Sequence, residues 1–183
     1  MPLSVNDVLE QFGDNVVSNA QRELGATKTR NSYKAKWKNG KLQSYKVVKR
    51  KRKSDNTGAL RESLSYKVLR KGDLFILEIS ALDYAIYVDQ GRKPGKGIPV
   101  TILKRWIKSK PVRLQKDGGG FVKQTDKAIN SLSFLINRKI KTFGIEPTNF
   151  MSNSVDKFQP KLAEELTPAY AAFIADKIRD KFN

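Results

Sequence analysis

The chain has 183 residues, with 36 lysines and arginines against 18 acidic residues, and a formal charge of +18. It contains no cysteine and no histidine. Disulfides, thiolate metal sites, Cys–His and Ser–His nucleophilic systems and the usual zinc ligand sets are thereby excluded, which leaves carboxylates, lysines, tyrosines and hydroxyls for any chemistry.

An apolar content of 39% is enough for one core, so a single domain is expected over 1–158, with basic arms at 28–53 and 92–116 and a C-terminal helical extension over 159–183. No run reaches the ~18 apolar residues of a membrane span, and the N-terminus lacks a signal-peptide pattern, so a soluble, non-exported chain is expected. The charge is unevenly spread. Lys28 to Lys53 holds twelve basic residues and no acidic one, and Arg92 to Lys116 holds nine with none acidic. Outside these segments 15 basic residues stand against 18 acidic ones. Cationic arms on a nearly neutral body are expected, and they suit contact with a polyanion or with acidic protein surfaces.

In chain order, Val5, Val8, Leu9, Phe12, Val16 and Ala20 keep the helical period, predicting a helix over 4–24 with Ser4 or Asn6 at its start and Gly25 at its stop. Gly13 is a soft point costing up to ~1 kcal/mol relative to alanine. Asn39-Gly40 is the favoured pair for a two-residue hairpin turn and predicts an extended hairpin over 32–48 with its lysines in solvent. Lys49-Arg50-Lys51-Arg52-Lys53 is a block of like charge, expected to lack fixed structure without a partner. Leu64, Tyr66 and Val68 alternate, as do Phe75, Leu77 and Ile79, and Lys71-Gly72-Asp73 lies between them, predicting an antiparallel hairpin.

Tyr84, Tyr87, Val88 and Gly91 then share the spacing of one helical face, predicting a short anchor helix over 83–90, buried on that face and ended by Gly91. Arg92 to Gly97 reads as a mobile cationic loop. A helix over 100–109 is expected to turn Ile102, Leu103, Trp106 and Ile107 inward, with Pro111 ending it. Val112 to Gln124, including Gly118-Gly119-Gly120, reads as a flexible loop. Thr125 caps a long helix with the stripe Ile129, Leu132, Ile136, Ile140 and Phe143, stopped by Gly144. A short helix to Phe158 follows. A last helix carries Leu166, Tyr170, Phe173, Ile174 and Ile178, with Pro160 or Pro168 in its first turn.

Candidate chemistry is sparse. No P-loop pattern is present, and Gly95-Lys96-Gly97-Ile98-Pro99-Val100 fails the dinucleotide fingerprint at its last glycine. The central carboxylates are Glu62, Asp73, Glu78, Asp83 and Asp89. A metal-dependent nuclease needs two or three that converge, whereas Asp83 and Asp89 do not share a helical face and Glu78 is expected in solvent. Tyr33, Trp37 and Tyr45 lie among lysines, where they could stack on bases, but the buried face of the hairpin is the favoured place for them. No sequence-reading nucleic-acid motif occurs, so DNA contact would be to the backbone.

Two motifs in order complete the reading. Thr57-Gly58-Ala59-Leu60-Arg61-Glu62-Ser63 precedes the strand hairpin, and Tyr84-Ala85-Ile86-Tyr87-Val88-Asp89-Gln90-Gly91 follows it. Over roughly 60–154 the chain resembles the tail-completion or neck family of tailed bacteriophages, which carries a Thr-Gly-x-Leu-x-x-Ser element and then a Tyr-Ala-x-Tyr-Val-acid-x-Gly element. Trp106, Gly144, Pro147 and Phe150 fit its later pattern. The resemblance implies an α+β structural virion protein that forms a homo-oligomeric ring at the head–tail junction. Its partners would be the portal or connector, the tail proteins and packaged DNA, with no catalysis, cofactor or membrane. Thr57, Gly58, Leu60, Ser63, Tyr84, Ala85, Tyr87, Val88, Asp89 and Gly91 are the motif positions. Gly91-Arg92 departs from the family's Gly-Thr, and the basic segments are heavier than usual. Lys49, Arg50, Lys51, Arg52, Lys53, Arg92, Lys93 and Lys96 are the candidate contacts to DNA or acidic partners. A nonspecific DNA-binding protein acting as monomer or dimer is the alternative, and a nuclease ranks third.

Overall fold

Ser4 and Asp7 start the first helix by exchanging hydrogen bonds. The Asp7 N–H donates to Ser4 Oγ at 3.2 Å and the Ser4 N–H to the Asp7 carboxylate at 3.1 Å, which satisfies two of the amides a helix start leaves open. In chain order the elements are α1 (Val5–Gly25), β1 (Thr27–Lys38), β2 (Lys41–Lys53), α2 (Ala59–Ser63), β3 (Ser65–Lys71), β4 (Leu74–Ser80), α3 (Ala85–Asp89), α4 (Val100–Ser109), α5 (Asp126–Phe143) and α6 (Phe150–Phe182). The computed structural model describes residues 3–53, 57–109, 120, 123 and 125–182. The architecture is α+β, with two antiparallel hairpins, β1–β2 and β3–β4, among packed helices. The chain divides into two units: Met1–Thr29, Lys51–Gln90 and Thr148–Asn183 make the first, and Arg30–Arg50 and Gly91–Pro147 the second.

The first unit is built on α1, packed along α6. Val5, Val8, Leu9, Val16, Val17, Ala20 and Leu24 form its buried stripe. One cluster joins Val17, Ala20 and Leu24 to Leu60, Leu64 and Phe150, and a second joins Val5, Val8 and Leu9 to Ala169. β3 and β4 pair from Ser65↔Ser80 to Lys71↔Leu74 across Gly72-Asp73, with Gly72 at φ 62°. Tyr66 and Ile79 pack on the first cluster, Val68, Phe75 and Leu77 on the second. Glu78 is exposed beside Lys67. Gly13 is buried under the Tyr66 ring, which occupies the space a side chain there would need.

α6 departs from the sequence reading. It runs unbroken through 158 and 159 for 33 residues, about 50 Å at 1.5 Å per residue. Pro160 and Pro168 lie inside it rather than in a first turn. Both are exposed, so the carbonyls they leave without an amide partner can be met by water.

In the second unit the β1–β2 turn places Asn39 at φ 49° and Gly40 at 75°, the positive pair its sequence demands. The strands outrun the predicted span at both ends and include Lys49 to Lys53, contrary to the expectation of a structureless block. An extended backbone turns successive side chains to opposite faces, which separates the like charges. Tyr33 stacks on Phe143 with centroids 4.3 Å apart, Tyr45 meets both rings edge-on, and the Arg138 guanidinium lies 4.2 Å over Trp37. The inward aromatic face is thus present at Tyr33 and Trp37, whereas Tyr45 stays 56% exposed. α4 packs on α5, burying Leu103 and Ile107, but Ile102 and Trp106 are exposed, so only half of the expected inward face is used. Thr125 Oγ1 accepts the Ala128 N–H at 3.3 Å, and Gly144 ends α5 at φ 70°. Pro111 and the loop expected over Val112–Gln124 lie outside the described residues, apart from positions 120 and 123.

Candidate functional site

The Tyr84–Gly91 motif forms α3 and buries Val88 as expected, but its buried face is turned toward Ala85 and Asp89 and away from the two tyrosines. Tyr84 and Tyr87 are exposed by 45% and 60%. Ala85 and Val88 pack on the core, and Asp89 is buried. Positions 85, 88 and 89 also share a helical face, and Asp89 decides between the two. Its Oδ1 accepts the Met151 N–H at 2.8 Å and the Ser152 N–H at 3.4 Å, and its Oδ2 accepts the Ser152 hydroxyl at 2.6 Å. Its main-chain carbonyl accepts the amides of Thr148 and Asn149. Asp89 is therefore the N-terminal cap of α6, supplied from a distant element. Its negative charge also sits where the helix dipole favours it. Asn149, next to the helix start, has φ 51°. No local pattern marks this helix as borrowing its cap from sixty residues upstream.

The first motif is structural in the same way. Gly58 takes φ 85°, a conformation suited to glycine. Thr57 Oγ1 accepts the Ala59 N–H at 3.4 Å, and Leu60 is 3% exposed in the core. Ser63 Oγ donates to the Leu60 carbonyl and accepts the Leu82 N–H, tying α2 to the segment after β4.

In the second unit Gly91 has φ 70°, and a side chain on it would strike the Ile145 carbonyl and Pro147. The loop beyond it is fastened, contrary to the mobile reading. Arg92 and Ile145 exchange main-chain hydrogen bonds at 2.9 and 2.8 Å, Gly95 N–H donates to the Lys141 carbonyl, and Ile98 N–H donates to Asn137 Oδ1. Arg92 is half-buried and its guanidinium donates to the Gly97 carbonyl at 3.1 Å, which takes it out of the set of open cations. Lys93 and Lys96 are exposed.

Lys49, Arg50, Lys51 and Arg52 are exposed along β2; nothing is described of the Lys53 side chain. A further row was not singled out from the sequence. Lys34, Lys36 and Lys38 alternate along β1 with the half-buried Tyr33, Ala35 and Trp37, and all three are exposed. The alternation itself was the available signal. By sequence the first unit holds 14 basic and 15 acidic residues, the second 22 and 3. Of the candidate cations, Lys49, Arg50, Arg92, Lys93 and Lys96 fall in the second unit, and Lys51, Arg52 and Lys53 in the first.

Among the described residues no three or more carboxylates gather where they could hold a metal ion, and no helix is long and apolar enough to cross a membrane. No protein-family model, curated protein or solved structure matches the chain.

Proposed function

We propose that this chain is a structural subunit of the neck of a tailed bacteriophage, without catalysis, forming a ring that joins the DNA-filled head to the tail. In this reading the first unit carries the shape and the subunit contacts. The second presents its cations to packaged DNA or to acidic surfaces of portal, connector or tail proteins. The carrying observation is the division of charge: one folded unit is close to neutral while the other holds 22 basic residues against 3 acidic ones. Such a unit is self-repelling alone and gains by meeting a polyanion. The motif chemistry agrees, since Asp89 is spent on a helix cap. The same cationic unit also favours a second reading, a nonspecific DNA-binding protein working as a monomer or dimer.

Two measurements test this. Imaging of purified particles with the chain labelled should place it in several copies at the head–tail junction; absence from particles overturns the neck reading. Binding to double-stranded DNA should weaken by about 10³–10⁵ between 50 and 200 mM salt if six to ten phosphates are engaged. Replacing Lys34, Lys36 and Lys38 by glutamate should flatten that slope. A flat slope in the unmodified protein directs the cations to protein partners, and metal-dependent DNA cleavage lost in Asp83→Ala overturns the non-enzymatic reading.

A further inference from the structure

At the N-terminal end of α6 the first unit opens an apolar groove of about 540 Å³, lined by Ile79, Ala85, Ile86, Met151, Val155 and Asp156. Ile86 is 54% exposed there. The surrounding sequence reverses the character of the chain: residues 79–90 and 148–156 hold three aspartates and no lysine or arginine, in a protein of charge +18. Asp89 is consumed as the cap, while Asp83 and Asp156 are exposed. At the other end of the same helix Ile174, Ile178 and Phe182 recur every four residues, exposed by 46%, 54% and 84%. That spacing makes one continuous stripe. Lys177, Arg179 and Lys181 flank it together with Asp176 and Asp180, and the ion pairs of Lys177 with Asp73 and Arg179 with Asp176 are solvent-exposed, the kind that exchanges readily.

We propose that the Ile174–Ile178–Phe182 stripe of one copy seats in the Ile86–Met151–Val155 groove of the next. This rests on the ring-forming reading and names its subunit contact. A chain cannot fill its own groove, because positions 153 and 178 on the one continuous helix are about 38 Å apart. The volume lies in the range that takes a drug-sized group, hence two or three large side chains. The charges lean in complementary directions: three cations and two aspartates flank the stripe, a net +1, whereas the groove carries the exposed Asp83 and Asp156. Plug and socket are different surfaces, so the contact is heterologous and repeats from copy to copy, as a ring requires.

The chain has no cysteine, so introduced cysteines report only the designed pairs. Lys181→Cys protein mixed with Gln90→Cys protein should cross-link to twice the 20.7 kDa chain mass, while neither preparation cross-links to itself. In sedimentation, Ile178→Asp and Ile86→Arg should each weaken self-association at least tenfold. Their mixture should give dimers and nothing larger, since one intact plug and one intact socket remain per pair. Both side chains are exposed, and circular dichroism checks the fold; the cross-linking arm does not depend on either variant. A 181–181 cross-link, oligomers that survive both variants, or a groove filled only by a different protein overturns the proposal, as does a chain that stays monomeric at hundreds of micromolar. The neck reading fails separately, by absence from particles, even if the cross-link forms.

Discussion

The first unit holds 14 basic and 15 acidic residues and closes around side chains with essentially no exposure, among them Val16, Ala20, Leu24 and Phe150. The second holds 22 and 3. Its fully buried apolar side chains are fewer, Leu103, Ile107 and Ile129 among the described residues. Its hairpin is held by half-buried rings and a guanidinium over an indole. Apolar burial is not weakened by charge screening, whereas a cation-rich fold trades cohesion against repulsion and depends on the ions around it. A nearly neutral unit held by apolar burial thus stands against a cation-rich one whose self-repulsion a bound anion would relieve.

The sharpest way to break this contrast is to remove the group most deeply committed in each unit. Asp89 is 6% exposed and accepts three hydrogen bonds at the start of α6. Asp89→Ala should cost about 3 kcal/mol, the range for a charged hydrogen-bonded group plus a lost cap. Arg138→Ala, which removes the cation over Trp37, should cost about 1 kcal/mol. Urea unfolding followed by hydrogen exchange in each unit measures both. The reverse order would mean that the cationic unit is the stable one.

A smaller effect tests how tightly the first unit is packed. By propensity alone Gly13→Ala should stabilise α1 by up to ~1 kcal/mol. The Tyr66 ring occupies the space the new methyl needs, and forcing atoms into a filled site costs about 1–3 kcal/mol. A net loss of up to about 2 kcal/mol, read from urea unfolding curves, is expected. A gain would show that the ring moves aside freely.

Gly13 also shows what the sequence could and could not disclose. The stripe of α1, the β3–β4 hairpin, the Asn39-Gly40 turn and both ends of α5 were legible, because each follows from local periodicity or from a residue's own backbone preference. The use of Gly13 was not, since Tyr66 lies fifty-three residues away. α3 was misread for the same kind of reason: five residues offer two helical faces, and the choice depends on Asp89 meeting the amides of Met151 and Ser152. The fastening of Arg92 to Gly97 needs Asn137, Lys141 and Ile145 from α5 and just beyond. Pro160 and Pro168 suggested a break that the packing of α6 on α1 overrides. At the candidate site the cations could be counted from sequence, but the division that leaves Lys51 to Lys53 in the first unit and the other candidates in the second could not.

The smallest expected effect concerns Tyr66 in alkaline solution. Its hydroxyl is held above the ordinary tyrosine value, first by burial and then by the negative charges of Asp14 and Glu10. Folding therefore favours the neutral phenol. Below about pH 10, the ordinary tyrosine value, the folded and unfolded chains are both protonated and the contribution is complete. As pH rises from there the unfolded chain loses its proton first, so stability falls until the folded-state value is passed and then levels off. The difference in tyrosinate absorbance between the protein and Tyr66→Phe should show one late-titrating ring, and the variant should lose less stability over the same interval. If the missing ring instead titrates with an ordinary surface tyrosine, water reaches it freely, and the packing that sets the first unit apart is looser than its contacts with Gly13 imply.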